Sequence, residues 1–126
     1  MSSFKEVVKN RRTYYALSDK SPISDKEIQD IVEFAVLHVP SSFNSQTARA
    51  VVLLGEQHRR LWEITKETLK AIVPESAYPT TEDKINKSFA SGYGTVLFYE
   101  DKAGVRALQE KFPAYSDNFP VWSQQS

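Results

Sequence analysis

The chain has 126 residues, 40% hydrophobic and 25% charged, which is typical of one folded domain and unlike a disordered chain. Its 16 basic and 16 acidic side chains cancel, so net charge indicates neither nucleic acid nor an anionic membrane as partner. The absence of cysteine excludes disulfides and thiolate sites and suits a reducing, cytoplasmic location. The longest apolar runs are far shorter than the ~20 residues of a membrane helix.

The first segment, residues 4–10, places apolar side chains at i, i+3 and i+4, which predicts a short helix. Arg11, Arg12 and Thr13 follow it directly. Guanidinium groups bind phosphate bidentately and a hydroxyl adds a hydrogen bond, so these three residues form a candidate anion site. The alternative is that the arginines complement the negative end of the helix dipole and remain solvated.

A second helix is predicted to begin near Ser24, because Ser24 and Glu27 have the spacing of a capping box. Pro40 makes its continuation beyond Val39 unfavourable. Its apolar side chains repeat with helical spacing, and we expect the resulting stripe to face a core. The stripe consists of Ile28, Ile31, Val32, Ala35, Val36 and Val39.

The segment PSSFNSQ, residues 40–46, is called the polar loop below. It offers the hydroxyls of Ser41, Ser42 and Ser45 and the carboxamides of Asn44 and Gln46 within six positions. Carboxamides both donate and accept, so this density of groups suits a planar, heteroatom-rich ligand. The alternative is a polar turn that caps the second helix.

The rest of the chain predicts two buried strands among further helices. The apolar runs ARAVVLL and GTVLFYE are too short for helices and rich in β-branched residues. A third helix follows the first strand and ends before Pro74, a new start is possible near Thr81, and residues 102–112 predict another short helix. We therefore expect one layered α+β domain over residues 1–126, in which two strands alone make a poor sheet.

Other signals for chemistry are weak. His38 and His58 have no metal-ligand spacing and are interpreted as surface or hydrogen-bonded histidines, so no metal site is predicted. The pair Gly92 and Gly94 precedes a strand, opposite to the dinucleotide-binding fingerprint. Trp62 lies on a helical stripe and is expected in a core. No side chain is therefore assigned a catalytic role.

Five segments spread over nearly the whole chain resemble the FMN-dependent nitroreductases, particularly their fungal-type branch. They are FKEVVKNRRTYYAL, PISDKEI, HVPSSFNSQTARAVVLLGEQHRRLW, SGYGTVLFYED and FPAYSDNFPVWSQQS. The resemblance implies an α+β nitroreductase-like fold with a central mixed β-sheet flanked by helices. It also implies that this chain corresponds to the amino-terminal two-thirds of a longer family member, with a last helix opening at its final residues.

The same resemblance implies an enzyme that uses FMN and NAD(P)H to reduce nitroaromatics, quinones or similar electrophiles. In the family, the flavin is held by residues equivalent to Arg11, Arg12 and Thr13 of one subunit. From the other subunit of a homodimer it is held by residues equivalent to Pro40, Ser41, Ser42, Asn44 and Gln46. Two rivals stay open: a non-catalytic module that dimerises or binds a partner through an exposed strand edge, and a small phosphate-ligand binder using the two arginines alone.

Overall fold

The computed structural model describes residues 3–125, which form six helices and one two-stranded antiparallel sheet. The elements in chain order are α1 (Phe4–Asn10), α2 (Asp25–His38), β1 (Ala48–Leu54), α3 (Gly55–Lys70), α4 (Tyr78–Lys84), β2 (Gly94–Glu100), α5 (Lys102–Lys111) and α6 (Phe119–Gln125). Short 3-10 turns cover Ser42–Asn44 and Pro113–Tyr115, and a π-helical turn, Ile85–Phe89, extends α4. The predicted α+β class and both predicted strands are confirmed.

Contacts divide the described chain into two compact units. The first unit contains residues 3–20 and 55–93, and the second contains residues 21–54 and 94–125. No helix in residues 3–125 is both long and apolar enough to cross a bilayer.

The second unit is organised by the pairing of β1 with β2. The antiparallel register places Ala48 opposite Glu100 and Leu54 opposite Gly94. A Cβ at Gly94 would lie 2.5 Å from Leu54 Cδ2 and 2.9 Å from the Leu53 carbonyl oxygen, so the absence of a side chain at this position permits the close pairing. Helix α2 packs against β1.

Helix α2 begins as its sequence predicts. The Ser24 hydroxyl accepts from the Glu27 backbone N–H, and the Glu27 carboxylate accepts from the Ser24 N–H at 2.9 Å, which completes the capping box. The N–H and hydroxyl of Ser24 lower the pKa of the Glu27 carboxyl, because both hydrogen bonds favour its ionised form.

The expectation that the whole apolar stripe of α2 faces a core is wrong. Ile31, Val36 and Val39 are exposed, whereas Ile28, Val32 and Ala35 are half-buried. The reason is the small extent of the sheet: among the described residues, α2 packs on a two-stranded surface, which covers one edge of the stripe and leaves the other edge in solvent.

The first unit is built on α3 and α4. Buried His58 on α3 places its Nε2 3.1 Å from the Ala90 carbonyl oxygen, which confirms a hydrogen-bonded histidine. Trp62 stacks on Phe89 with ring centroids 5.1 Å apart, and Ile85 is buried. Helix α3 thus contacts the π-helical turn that carries Ile85 and Phe89.

The predicted start near Thr81 is wrong by three residues, because α4 begins at Tyr78. Pro79 lies in the first turn, where its fixed φ suits a helix and its missing N–H would have no helical acceptor. The Tyr78 hydroxyl donates to the Lys66 carbonyl at 3.3 Å and ties this early start to α3.

Candidate functional site

The polar loop has an unusual backbone. Phe43, Asn44 and Gln46 have φ values of 56°, 52° and 50°, and in residues 3–125 they are the non-glycine residues with positive φ. A left-handed conformation costs a non-glycine residue about 1–2 kcal/mol, with asparagine tolerating it best. Backbone strain of this kind concentrates at ligand sites and requires contacts that hold it.

Local hydrogen bonds hold the loop in this conformation. The amides of Asn44 and Ser45 donate to the carbonyls of Ser41 and Ser42 at 2.9 and 3.1 Å. The Gln46 amide donates to the Ser41 hydroxyl at 3.0 Å. The helix before the loop stops cleanly, since the Val39 amide donates to the Ala35 carbonyl and proline follows.

A set of five rings, called the aromatic cluster below, supports the strained centre of the loop. The Phe43 ring lies parallel to Trp122, with centroids 5.9 Å apart, and meets Phe119 edge-on at 5.1 Å. Such offset and edge-to-face pairs each add about 0.5–1.5 kcal/mol beyond the area they bury. Phe119 is completely buried. Phe112 and Tyr115 complete the cluster.

The carboxyl end of the loop is fixed by a buried hydroxyl pair. Thr47 Oγ1 lies 2.8 Å from Ser123 Oγ on α6, and both residues are buried. A methyl group added at Gly104 of α5 would lie 2.8 Å from Thr47 Cγ2, so α5 also closes tightly on this residue. The loop therefore enters β1 through a residue that is held by α5 and α6.

A pocket of about 390 Å³ lies beside the loop. Pro40, Ser41, Asn44 and Gln46, four of the five loop residues predicted to bind a ligand, line it. The fifth, Ser42, directs its hydroxyl to the Trp122 carbonyl oxygen at 3.3 Å. The pocket is thus bordered by hydroxyl and carboxamide groups that donate and accept hydrogen bonds, next to apolar residues at the end of α2.

Arg11, Arg12 and Thr13 belong to the first unit and are exposed. Arg11 Nη1 donates to the Thr13 hydroxyl at 3.1 Å, so this hydrogen bond holds the two side chains next to each other. Arg12 Nη1 donates to the carbonyls of Lys9 and Arg11 at 2.7 and 2.8 Å, which caps the end of α1. Arg12 thus lies at the carboxyl end of α1, and ligand binding by the three residues stays a prediction.

Sequence reasoning missed Arg49. This residue on β1 lines the pocket with the loop residues, and its guanidinium donates to the Gln46 carbonyl at 2.9 Å. A charged residue inside the otherwise apolar run ARAVVLL was the available signal. The aromatic cluster was also missed, since its members come from segments about 70 residues apart and no sequence spacing connects them.

Comparison with known proteins agrees with this geometry. The nitroreductase family model matches residues 8–126. HBN1 of Saccharomyces cerevisiae, which carries a nitroreductase name, is 34% identical over 125 residues, covering 98% of this chain and 61% of HBN1. The nitroreductase FRM2 of the same yeast is 31% identical over 123 residues, covering 94% and 59%.

Among solved structures, the nitroreductase CinD from Lactococcus lactis in complex with chloramphenicol superposes with a TM-score of 0.81 at 40% identity, covering 98% of this chain and 61% of CinD. The nitroreductase-like fold predicted from the sequence is thus confirmed. The chain spans about three-fifths of the length of the relatives it matches. Since the family model matches nearly every residue and the fold agrees, the chain belongs to the nitroreductase family.

Proposed function

We propose that this chain forms the flavin-binding part of an oxidoreductase that uses FMN and NAD(P)H to reduce nitroaromatics, quinones or similar electrophiles. The observation that carries the proposal is the pocket lined by Ser41, Asn44 and Gln46 of the polar loop, in a chain of this family. CinD has been solved with 4-nitrophenol, which supports a nitroaromatic as the acceptor class.

The residues present fit FMN chemically. Asn44 and Gln46 supply donors and acceptors that suit the alternating N–H and C=O edge of the flavin pyrimidine ring. Arg11, Arg12 and Thr13 supply two guanidinium groups and a hydroxyl for the phosphate. FMN, when bound, would accept a hydride from NAD(P)H and pass electrons to the acceptor.

The protein residues then have only binding tasks. Pro40 and Ser41 shape the pocket wall, and the Ser42 hydroxyl anchors the turn to the Trp122 carbonyl. Because hydrogen bonds hold the loop backbone, the carboxamides that it carries would orient the ring with little reorganisation during the reaction. No side chain needs to act as a nucleophile or general base.

We also propose that the functional form is a homodimer, in which the polar loop of one subunit contributes to the flavin site of the other. The exposed side of α2 supports this. Ile31, Phe34 and Leu37 are 61%, 65% and 74% exposed, and so is the neighbouring Val39 at 62%. A row of large apolar side chains in water is typical of an interface. Light scattering coupled to size-exclusion chromatography should give a mass near twice the 14.4 kDa of the chain.

The second candidate is a non-catalytic module that dimerises or binds a protein partner. The same exposed α2 residues support it. A second observation is that few apolar side chains in residues 3–125 are fully buried. It predicts a colourless protein that still self-associates. A cytoplasmic location is proposed for either candidate, since the chain contains no cysteine.

The first experiment is a visible absorption spectrum after incubation with FMN and removal of unbound flavin. Retained yellow flavin that bleaches with NADH or NADPH under anaerobic conditions is the expected result. Arg11→Ala should lower retention, whereas Arg60→Ala, at an exposed arginine on α3, is the matched control and should not. A colourless protein would favour the second candidate. If Arg11→Ala retains as much FMN as Arg60→Ala, Arg11 does not bind the phosphate.

A further inference from the structure

Arg49 makes contacts that connect the polar loop to the residue that follows β2, at the same end of the sheet. Its Nη1 donates to the carbonyl oxygens of Gln46 and Ala48, both at 2.9 Å. Its Nη2 forms an ion pair with Asp101 Oδ2 at 3.2 Å. One guanidinium group therefore holds the last residue of the loop and a residue that follows β2.

The carboxylate that Arg49 contacts is itself fixed. Asp101 caps α5, since its Oδ1 accepts from the Ala103 amide at 3.0 Å. The Asp101 amide donates to the Thr47 carbonyl at 2.9 Å. Arg49 is thus anchored to a side chain whose position is set by a helix start and by the backbone pairing beside β1.

Gln46 has a specific need for this anchor. Its φ of 50° is in the left-handed region, which a glutamine rarely adopts. Both backbone polar groups of Gln46 are held there, the amide by the Ser41 hydroxyl at 3.0 Å and the carbonyl by Arg49. Releasing the carbonyl would remove one of the two hydrogen bonds that hold the backbone of Gln46, a residue that lines the pocket.

We propose that Arg49, held by Asp101, is a positioning residue for ligand binding: it maintains the strained conformation of the polar loop in which Asn44 and Gln46 line the pocket. The inference deepens the proposed flavin site and rests on that function for the identity of the ligand. The side chains of Arg49 and Asp101 are 45% and 43% exposed, so solvent screens their attraction. The planar fork that reaches two carbonyls and a carboxylate is what matters, and a lysine cannot reproduce it.

The test uses the full chain with Arg49→Ala and Arg49→Lys, and with Arg106→Ala on α5 as the matched exposed-arginine control. Hydrogen exchange at the Asn44, Ser45 and Gln46 amides is measured without flavin, because each of these amides is hydrogen-bonded in the loop. FMN affinity is then measured by quenching of flavin fluorescence, together with the visible circular dichroism of bound FMN. The melting temperature of each variant is measured to show that the variant is folded.

We expect the loop amides of Arg49→Ala to exchange about tenfold faster and FMN binding to weaken by a similar factor, since the variant loses hydrogen bonds from a charged group. Arg49→Lys should be intermediate, and Arg106→Ala should match the parent protein. The visible circular dichroism of FMN bound to Arg49→Ala should change, which a general loss of stability would not produce. If Arg49→Ala does not fold, Arg49→Lys carries the same comparison.

Unchanged loop exchange in the folded Arg49 variants would overturn the inference, whatever the flavin result. Faster exchange with unaltered FMN affinity and dichroism would overturn it as well, because the loop conformation would then not matter for the ligand. If the parent protein retains no FMN, the proposed function fails separately. The exchange comparison alone then decides whether Arg49 holds the loop.

Discussion

Replacing Phe119 by alanine tests whether the aromatic cluster stabilises the second unit and its loop. The Phe119 side chain has no exposed surface. Its ring centroid lies 5.1–6.1 Å from the centroids of the Phe43, Phe112 and Trp122 rings. Truncation of a buried phenylalanine to alanine costs about 3–5 kcal/mol, from lost burial and the cavity left behind. That is a large share of the roughly 5–15 kcal/mol that stabilises a typical domain.

Urea unfolding followed by far-UV circular dichroism measures this effect. With a slope of about 1–3 kcal/mol per molar urea, the midpoint of Phe119→Ala should fall by roughly 1–5 M. Phe98→Ala is the matched control, since Phe98 is 68% exposed and should lose less than about 1 kcal/mol. Phe119→Leu should recover part of the loss. Equal midpoints for Phe119→Ala and Phe98→Ala would refute the assignment of Phe119 to the core.

Three further predictions concern other contacts. Ser24→Ala should lower the free energy of unfolding by about 1 kcal/mol in urea titrations, because α2 loses its cap; no change would contradict the capping box. The folded-state pKa of Glu27 is lowered, so its contribution is present above about pH 4.3 and is lost as pH falls through the folded pKa. The stability difference from Glu27→Gln should therefore shrink between pH 6 and pH 3, and a constant difference would contradict this. Gly104→Ala should lower the melting temperature, at a cost of about 1–3 kcal/mol, since the new methyl would lie 2.8 Å from Thr47 Cγ2. A higher melting temperature would mean that the helix preference for alanine over glycine, about 1 kcal/mol, outweighs the clash.

Elements set by local chemistry could be read from the sequence. The capping box at Ser24 and the proline after Val39 determined α2 to within a residue at each end. The apolar runs predicted both strands, because they are short, contain β-branched residues and are bounded by polar or glycine residues. The start of α4 was missed because a tyrosine and a proline can begin a helix without a side-chain cap.

The candidate site also has one feature that the sequence predicts and one that it does not. The polar loop was found from its density of hydroxyls and carboxamides, a property of adjacent residues. Its left-handed backbone was not predictable. Positive φ is expected at glycine, whereas Phe43, Asn44 and Gln46 are not glycines. That conformation depends on rings and a guanidinium supplied from elsewhere in the chain.

The amino-acid sequence by itself thus determined the family, most of the helix and strand positions and the chemical groups of the loop. Tertiary structure alone decided that Phe43 packs on Trp122, that Thr47 meets Ser123, and that Arg49 reaches both Gln46 and Asp101. The physical reason is the range of the forces involved. Caps and periodicities act between residues a few positions apart, whereas packing and ion pairs join residues that only folding brings within contact distance.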